Sequence, residues 1–367
     1  MADQPKTFPC PQCGGELEWN PSAQQMTCIY CSSQVALPDA SSFEAQEHDL
    51  LAFLQENPKA VGYGVQLESL SCKFCGASVQ LPPSDRRDLK CPFCDSAYVA
   101  EASAPAANVV QPESLIPFHV DRGQCQAKFR EWIGAGWFRP NDLKVLSRLD
   151  KIFGLYLPFF TFDALARSLW DAMAGYYYYV TERVAVEENG ETVYRDREVR
   201  KIRWEPASGS RQDFYDDVLV PAVQKQRLDL ITRVYPFDTK AGLVPYDTRY
   251  MAGFGILNPD MPLKTVYQVA EATIREDQEK RCSGDVPGDT QKDLSVRTTL
   301  SEQTFKHLLC PLWVGSFRYK GKVYNFVVNG ETGTLYGEKP WSWVKITLFT
   351  LALAGAAFAL YYFFGRR

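Results

Sequence analysis

From Ile152 onward, apolar residues fall in runs and alternations with the two-residue period of strands. The stretches are IFGLYLPFFTFDALA, then GYYYYVTERVAVEENGETVYRDREVRKIRWEP, then DFYDDVLVPA. Asn189-Gly190, set between two such alternations, is the turn dipeptide of a β-hairpin. The tyrosines Tyr176–Tyr179 read as the two alternating faces of one strand rather than a stacking platform. Further strands are predicted at Asp293–Leu300, Thr304–Tyr319, Lys322–Val328 and Thr334–Gly337, with turns at Lys320-Gly321 and Asn329-Gly330. Helical periodicity is predicted for Ser42–Asn57, Gln124–Trp132, Pro140–Leu149, Val223–Val234 and Thr265–Arg281. Strands dominate and helices cluster between them, which predicts an α+β fold with a mainly antiparallel sheet.

One stretch has no polar face. Ile346–Phe364 is 19 residues without a charge, ITLFTLALAGAAFALYYFF. As a helix it would reach roughly 28 Å, the thickness of a bilayer core. Trp341, Trp343, Tyr361 and Tyr362 bracket it where interfacial aromatics belong. The expectation is one C-terminal transmembrane helix and a single-pass, tail-anchored chain. Ala352, Gly355, Ala356 and Ala359 give the span small-x3-small spacing, which leaves homo-oligomerisation open.

The cysteines add the chemistry. Eight of the eleven form four knuckles: Cys10-x2-Cys13, Cys28-x2-Cys31, Cys72-x2-Cys75 and Cys91-x2-Cys94. The intervals within the two pairs are 14 and 15 residues, the C-x2-C…C-x2-C zinc spacing. A two-residue gap lets one turn aim both sulfurs at one ion, and a second knuckle closes a tetrahedral site. Two structural Zn2+ ions are therefore expected, one per set of four cysteines. Four thiolates saturate the metal, so a catalytic role for it is disfavoured.

Side and partners follow from charge and redox chemistry. Positive charges flank the span evenly, Lys339 and Lys345 against Arg366 and Arg367, so they do not orient it. Met1–Pro9 carries no apolar signal core, and thiolates with Cys125, Cys282 and Cys310 left over suit a reducing compartment. The bulk of the chain is expected in the cytoplasm. Residues 1–100 hold six Lys and Arg against twelve Asp and Glu, and each zinc–thiolate cluster adds about −2. That sign repels phosphate, so nucleic acid is a disfavoured partner. A local patch of Lys73, Arg86, Arg87 and Lys90 keeps a nucleic-acid role as the alternative.

The resulting organisation is a first zinc ribbon over 1–40, a helical spacer over 41–64 and a second ribbon over 65–100. A linker over 101–113, the α+β domain over 114–339, the span over 341–364 and a tail over 365–367 complete it.

The phosphate loop, the dinucleotide turn, the nucleophile elbow and the zinc-protease helix motif do not occur. His48 reads as a solvated residue of the spacer and His307, beside Lys306, as a structural hydrogen-bonder; with His119 they complete the histidines. Asp216-Asp217 reads as a strand end or helix cap. Asp285, Asp289 and Asp293 form the one acidic run worth testing as a cryptic ligand site, although GDVPGD reads as a turn.

Several strings carry a resemblance: Tyr156-Leu-Pro-Phe-Phe-Thr-Phe-Asp163, Trp170, Trp204, Asp216-Asp-Val-Leu-Val-Pro-Ala222, Pro245-Tyr-Asp247, Phe305-Lys-His307 and Val328-Asn-Gly-Glu-Thr-Gly333. With them the chain resembles a family of bacterial membrane-anchored double zinc-ribbon proteins, often labelled as relatives of the primosomal helicase. The chain departs from that pattern around Gly284–Gln291, so no site is carried onto that loop. The resemblance implies a non-enzymatic adaptor like the zinc-ribbon anchors that accompany flotillin-like (SPFH) proteins and phage-shock protein A in membrane-stress systems. Expected partners are thus proteins and the lipid bilayer, with a replication or transcription accessory as the alternative.

Overall fold

The computed structural model describes residues 8–37, 43–56, 68–72, 78–81, 91, 112–143, 148–188, 191–224 and 228–364. It is mixed α+β with mainly antiparallel pairing. A small sheet holds β1 (Leu17–Asn20), β2 (Gln25–Cys28) and β3 (Gln34–Val35). The next elements are β4 (His48–Asp49), α1 (Leu50–Glu56), β5 (Glu68–Ser71), β6 (Ser78–Leu81), β7 (Ser114–Leu115) and α2 (Arg122–Gly134). Two very long strands follow, β8 (Arg148–Glu188) and β9 (Glu191–Pro221). Then come α3 (Leu228–Ile231), β10 (Val244–Pro245), β11 (Gly255–Leu257) and α4 (Leu263–Asp285). The third long strand β12 (Thr290–Tyr319), β13 (Lys322–Asn329), β14 (Leu335–Gly337) and α5 (Trp343–Phe364) complete the order.

β8 is the spine. It pairs antiparallel with β12 from Arg148↔Arg318 to Gly175↔Thr290, and with β9 from Phe159↔Pro221 to Glu188↔Glu191. The last pair flanks Asn189-Gly190, as the hairpin signal requires. At the base both sheet faces are covered. Ile152, Tyr156, Leu309, Trp313 and Phe317 enter one core, while Leu155, Leu157, Leu308, Cys310 and Leu312 enter another on the opposite face. This double burial explains why YLPFFTF and HLLCPLWV read as continuous apolar runs.

Further out, among the described residues, only one face is covered, by α4. Its buried residues Leu263, Val266, Ala270, Ile274, Gln278 and Cys282 make one stripe along the strands. The core thins in steps, from Phe160, Phe162 and Phe305 through Ala164, Ala166 and Ile274 to Trp170, Ala172 and Cys282. Gln278, fully buried, is satisfied: Ser168 Oγ donates to it over 2.8 Å, and its amide donates to Asp213 and to Tyr215. Past Gly175 no other described element pairs with the arm, which is a hairpin of Tyr176–Glu188 against Glu191–Arg203. Thirteen residues of strand give it about 43 Å.

Such lengths need kinks, and acidic residues supply them. Asp217, Asp293 and Glu302 have φ of 56°, 56° and 54°, and each sits at a register shift of the long strands. Asp tolerates this left-handed region better than most residues, and the extra residue bends the strand without ending it. Two expectations are corrected here. Asp293–Leu300 and Thr304–Tyr319 are one strand interrupted by a bulge, and Asp216-Asp217 is neither a strand end nor a cap.

Helix boundaries also shift. The expected spacer helix begins only at Leu50, because His48 and Asp49 pair with Phe305 and Thr304 of β12. Asp49 then caps α1 by accepting the Ala52 amide over 2.7 Å. α2 starts from a capping box in which Asp121 accepts from the Gln124 amide and Gln124 accepts in return. Of the helix expected over Pro140–Leu149, Asn141 and Asp142 form a turn, residues 144–147 lie outside the described residues, and Arg148 already belongs to β8. The Val223–Val234 helix shrinks to α3 and a 3-10 turn over Thr232–Val234, with residues 225–227 outside the described residues.

Candidate metal centre and a buried charge cluster

The first knuckle pair folds as its spacing requires. β1 and β2 run antiparallel from Leu17↔Cys28 to Asn20↔Gln25, which brings the turn after Cys10 beside the turn after Cys28. The four sulfurs converge, with Cys10 Sγ 3.6 Å from Cys31 Sγ and Cys13 Sγ 3.5 Å from Cys28 Sγ. Four thiolates around zinc at about 2.3 Å would stand roughly 3.8 Å apart, whereas a disulfide would need about 2 Å. The donor set fits a tetrahedral cation. Amides support it, Gln12 donating to Cys10 Sγ and Gly15 to Cys13 Sγ, each over 3.4 Å. The Ser33 hydroxyl lies 2.9 Å from Cys10 Sγ and 3.2 Å from Cys31 Sγ. That contact holds the Cys10 thiol down to about 6 and lowers Cys31 as well. Thiolate, the ligating form, is favoured at Cys10 and Cys31, whereas Cys13, despite the Gly15 amide, is pushed up to about 12 by the neighbouring sulfurs of Cys31 and Cys28.

The ribbon is joined to the main core. Leu17, Trp19 and Met26 are buried with Phe118, Tyr250 and Phe254 of the base. The Trp19 indole donates to the Phe118 carbonyl over 3.2 Å.

Of the second cysteine set, Cys72 and Cys91 are buried in one apolar cluster with Val79, Ile116 and Leu157. Cys75 and Cys94 lie outside the described residues, as do Lys73, Arg86, Arg87 and Lys90. Strands β5 and β6, which flank the Cys72/Cys75 knuckle, pair with each other and extend the main sheet, since β6 pairs with β11 through Gln80↔Ile256.

Charge gathers at a second place, which sequence reasoning missed. Where β9 bulges at Asp217, the β12 residue Lys306 points its ammonium between acids: Nζ is 2.7 Å from Asp217 Oδ1 and 3.4 Å from Glu47 Oε1. Asp163 accepts the Asp217 amide over 2.6 Å and the Thr304 hydroxyl over 3.3 Å. Asp163, Asp216 and Asp217 are close enough to share a cation, and the Lys306 ammonium already serves that charge. Burial drives the Asp163 carboxyl up to about 6, a shift that the nearby Glu47 reinforces. Burial also works against the Lys306 ammonium, yet Asp217 leaves it above its ordinary range. Lys306 alternates with Phe305 and His307 along β12, and the surprise of a lysine within an apolar run was the available signal.

The carboxylates of Asp285 and Asp289 meet different partners. Asp285 pairs with Arg211 over 3.0 Å, Asp289 accepts the Tyr177 amide over 2.7 Å, and Asp293 forms a bulge. The histidines separate too. His48 pairs with Glu113, His119 is exposed, and His307 is buried and stacked on Phe160 at 4.5 Å.

α5 is long and apolar enough to cross a membrane, and none of its residues is buried against the described residues.

Comparison with known proteins adds one relative. The chain is 24% identical over 250 residues to uncharacterized protein YdjG of Bacillus subtilis (strain 168), covering 67% of this chain and 69% of that protein. No family model matches the chain, and no solved structure matches it.

Proposed function

We propose that this chain is a non-enzymatic, membrane-anchored adaptor of the double zinc-ribbon kind, which carries its docking surface on the long β-arm. The observation that supports this reading is the polarity of the spine. At one end of β12, Tyr319 donates to Asp142, and the neighbouring Asn141 accepts from Lys345 at the head of α5. At the other end stands the hairpin, up to roughly 100 Å away along 30 residues of strand. Exposed Tyr194 lies near its tip and exposed Tyr179 nearer its root, at 64% and 60% of their full accessibility. In this reading α5 crosses the bilayer, the cytoplasm holds the rest, and zinc fixes the Cys10/Cys13/Cys28/Cys31 ribbon against the base. A second zinc is assigned to Cys72, Cys75, Cys91 and Cys94. Partners are proteins, with SPFH-type or phage-shock-type proteins as the class that the resemblance implies.

The test uses the intact chain in its native membranes, with benzophenone side chains at positions 179 and 194. The expected result is a cross-linked adduct to another protein at both positions, and co-purification of that protein with the native chain that is lost when the hairpin Tyr178–Lys201 is removed. A chain found in the soluble fraction, or arm positions that form no adduct, would refute the reading. Tight, steeply salt-dependent binding of DNA or RNA would replace it with the nucleic-acid alternative.

A further inference from the structure

The connection between α2 and β8 runs beside the head of α5, and the two are bolted together. The Ser342 amide donates to the Phe138 carbonyl over 2.8 Å. Lys345 Nζ donates to the Trp137 carbonyl over 3.0 Å and to Asn141 Oδ1 over 2.6 Å. Arg139 returns the contact, donating to the carbonyls of Lys339 and Pro340 at 3.0 and 3.2 Å and lying over the Trp341 ring at 4.1 Å. Gly136, at φ 111°, makes the turn, and a Cβ there would approach Arg139 Cγ to 3.2 Å. The position of this loop against α5 is therefore fixed.

Its depth follows. The Phe138 ring meets the Phe349 ring edge-on at 5.2 Å. Phe349 lies six residues beyond Trp343, about 9 Å along the helix axis, and three residues inside the charge-free run. If Phe349 stands in the hydrocarbon, Phe138 stands at its boundary. Its neighbour Trp137 projects outward at 77% exposure, beside exposed Trp341 and Trp343. Residues 132–141 and 339–349 contain no acid, while Arg139, Lys339 and Lys345 supply cations. Burial, with the Arg139 charge beside it, lowers the Lys339 ammonium to about 8, so a neighbouring anion would stabilise its charged form.

We infer that the Gly134–Asn141 loop is a second membrane-contacting element, which sinks Trp137 and Phe138 into the lipid interface beside the span. Arg139 and Lys345 then lie at the level of the lipid phosphates, with their stems along the apolar surface. Tryptophan suits that zone because its ring is apolar and its N–H is polar. The loop would fix the tilt of the whole spine relative to the membrane, which one flexible span could not do. The inference rests on α5 being a membrane span.

The test is depth-dependent quenching of the full chain in phosphatidylcholine–phosphatidylglycerol vesicles. The emission assigned to Trp137 is the difference between the native chain and Trp137→Phe, and Trp343→Phe gives the same for the span head. Bromines placed near the carbonyl end of the acyl chains should remove most of both difference signals. Bromines near the methyl end should remove little. Exposure at position 137 makes Trp137→Phe structurally mild, and its flotation with vesicles should match the native chain. A chain that does not float with vesicles, with Trp343 unquenched, sinks the span and the loop together. A chain that floats with Trp343 quenched, but whose Trp137 signal is quenched by aqueous acrylamide alone, overturns the loop alone. A Trp137 signal shielded from both quenchers also overturns it, in favour of a second protein chain over the loop.

Discussion

Lys306 Nζ meets Asp217 Oδ1 at 2.7 Å, with the two side chains only 10% and 6% exposed. The pair sits where the double-covered base becomes the one-sided arm. Asp217 occupies a bulge of β9, Lys306 belongs to β12, and Glu47 and Asp163 close the cluster. A buried ion pair contributes modestly by its presence and costs much when one partner is lost.

Lys306→Met should therefore cost about 3–5 kcal/mol, because it leaves carboxylates buried without their cation. Adding Asp217→Asn should restore part of that loss, and Asn tolerates the left-handed φ. Denaturant unfolding of the native chain, the single variants and the double variant gives the coupling. Additive effects would show that the pair does not interact.

Asp163 makes the cluster sensitive to pH. Its carboxyl is raised by burial to about 6, so the fold binds the proton more tightly than the unfolded chain does. The stability from this group is full below the unfolded value near 3.8 and is lost as pH rises through about 6. Glu47, whose carboxyl is lowered, contributes in the opposite direction. Asp163→Asn should thus gain thermal stability relative to the native chain as pH rises from about 4 to about 7. A melting-temperature difference that is flat across that range would remove the assignment.

Zinc content tests the cysteines. The intact chain purified under reducing conditions should hold two zinc ions, and Cys13→Ser should hold one. Because Trp19 ties the first ribbon to Phe118, metal loss should also disturb the base. Metal binding supplies most of the folding energy of such small units. Fewer than one zinc in the intact chain would defeat the proposal.

The arm has its own sensitive point. A Cβ at Gly209 would lie 2.4 Å from the Trp170 ring, so Gly209→Ala must displace the indole. Overpacking of this kind typically costs about 1–3 kcal/mol. Faster amide exchange confined to β8, β9 and α4 beyond Ala166 would show the arm loosening; unchanged exchange would show that Trp170 has room to move.

The sequence by itself determined whatever rests on local spacing. Knuckles such as Cys10-x2-Cys13 set their sulfurs by one turn, the hairpin signal between β8 and β9 foretold the pairing of Glu188 with Glu191, and the stripe of α4 and the apolar run of α5 were both legible in the chain. Only the tertiary structure decided how far the strands run. Asp217, Asp293 and Glu302 look like breaks in sequence, and become bulges because pairing with β8 resumes beyond each. It also decided which charges meet. Glu47, Asp163, Asp217 and Lys306 are scattered over some 260 residues, and a cluster joined by strand register leaves no local period. The Phe138–Phe349 contact is of the same kind, set by how α2 and β14 pack and not by any pattern near either ring.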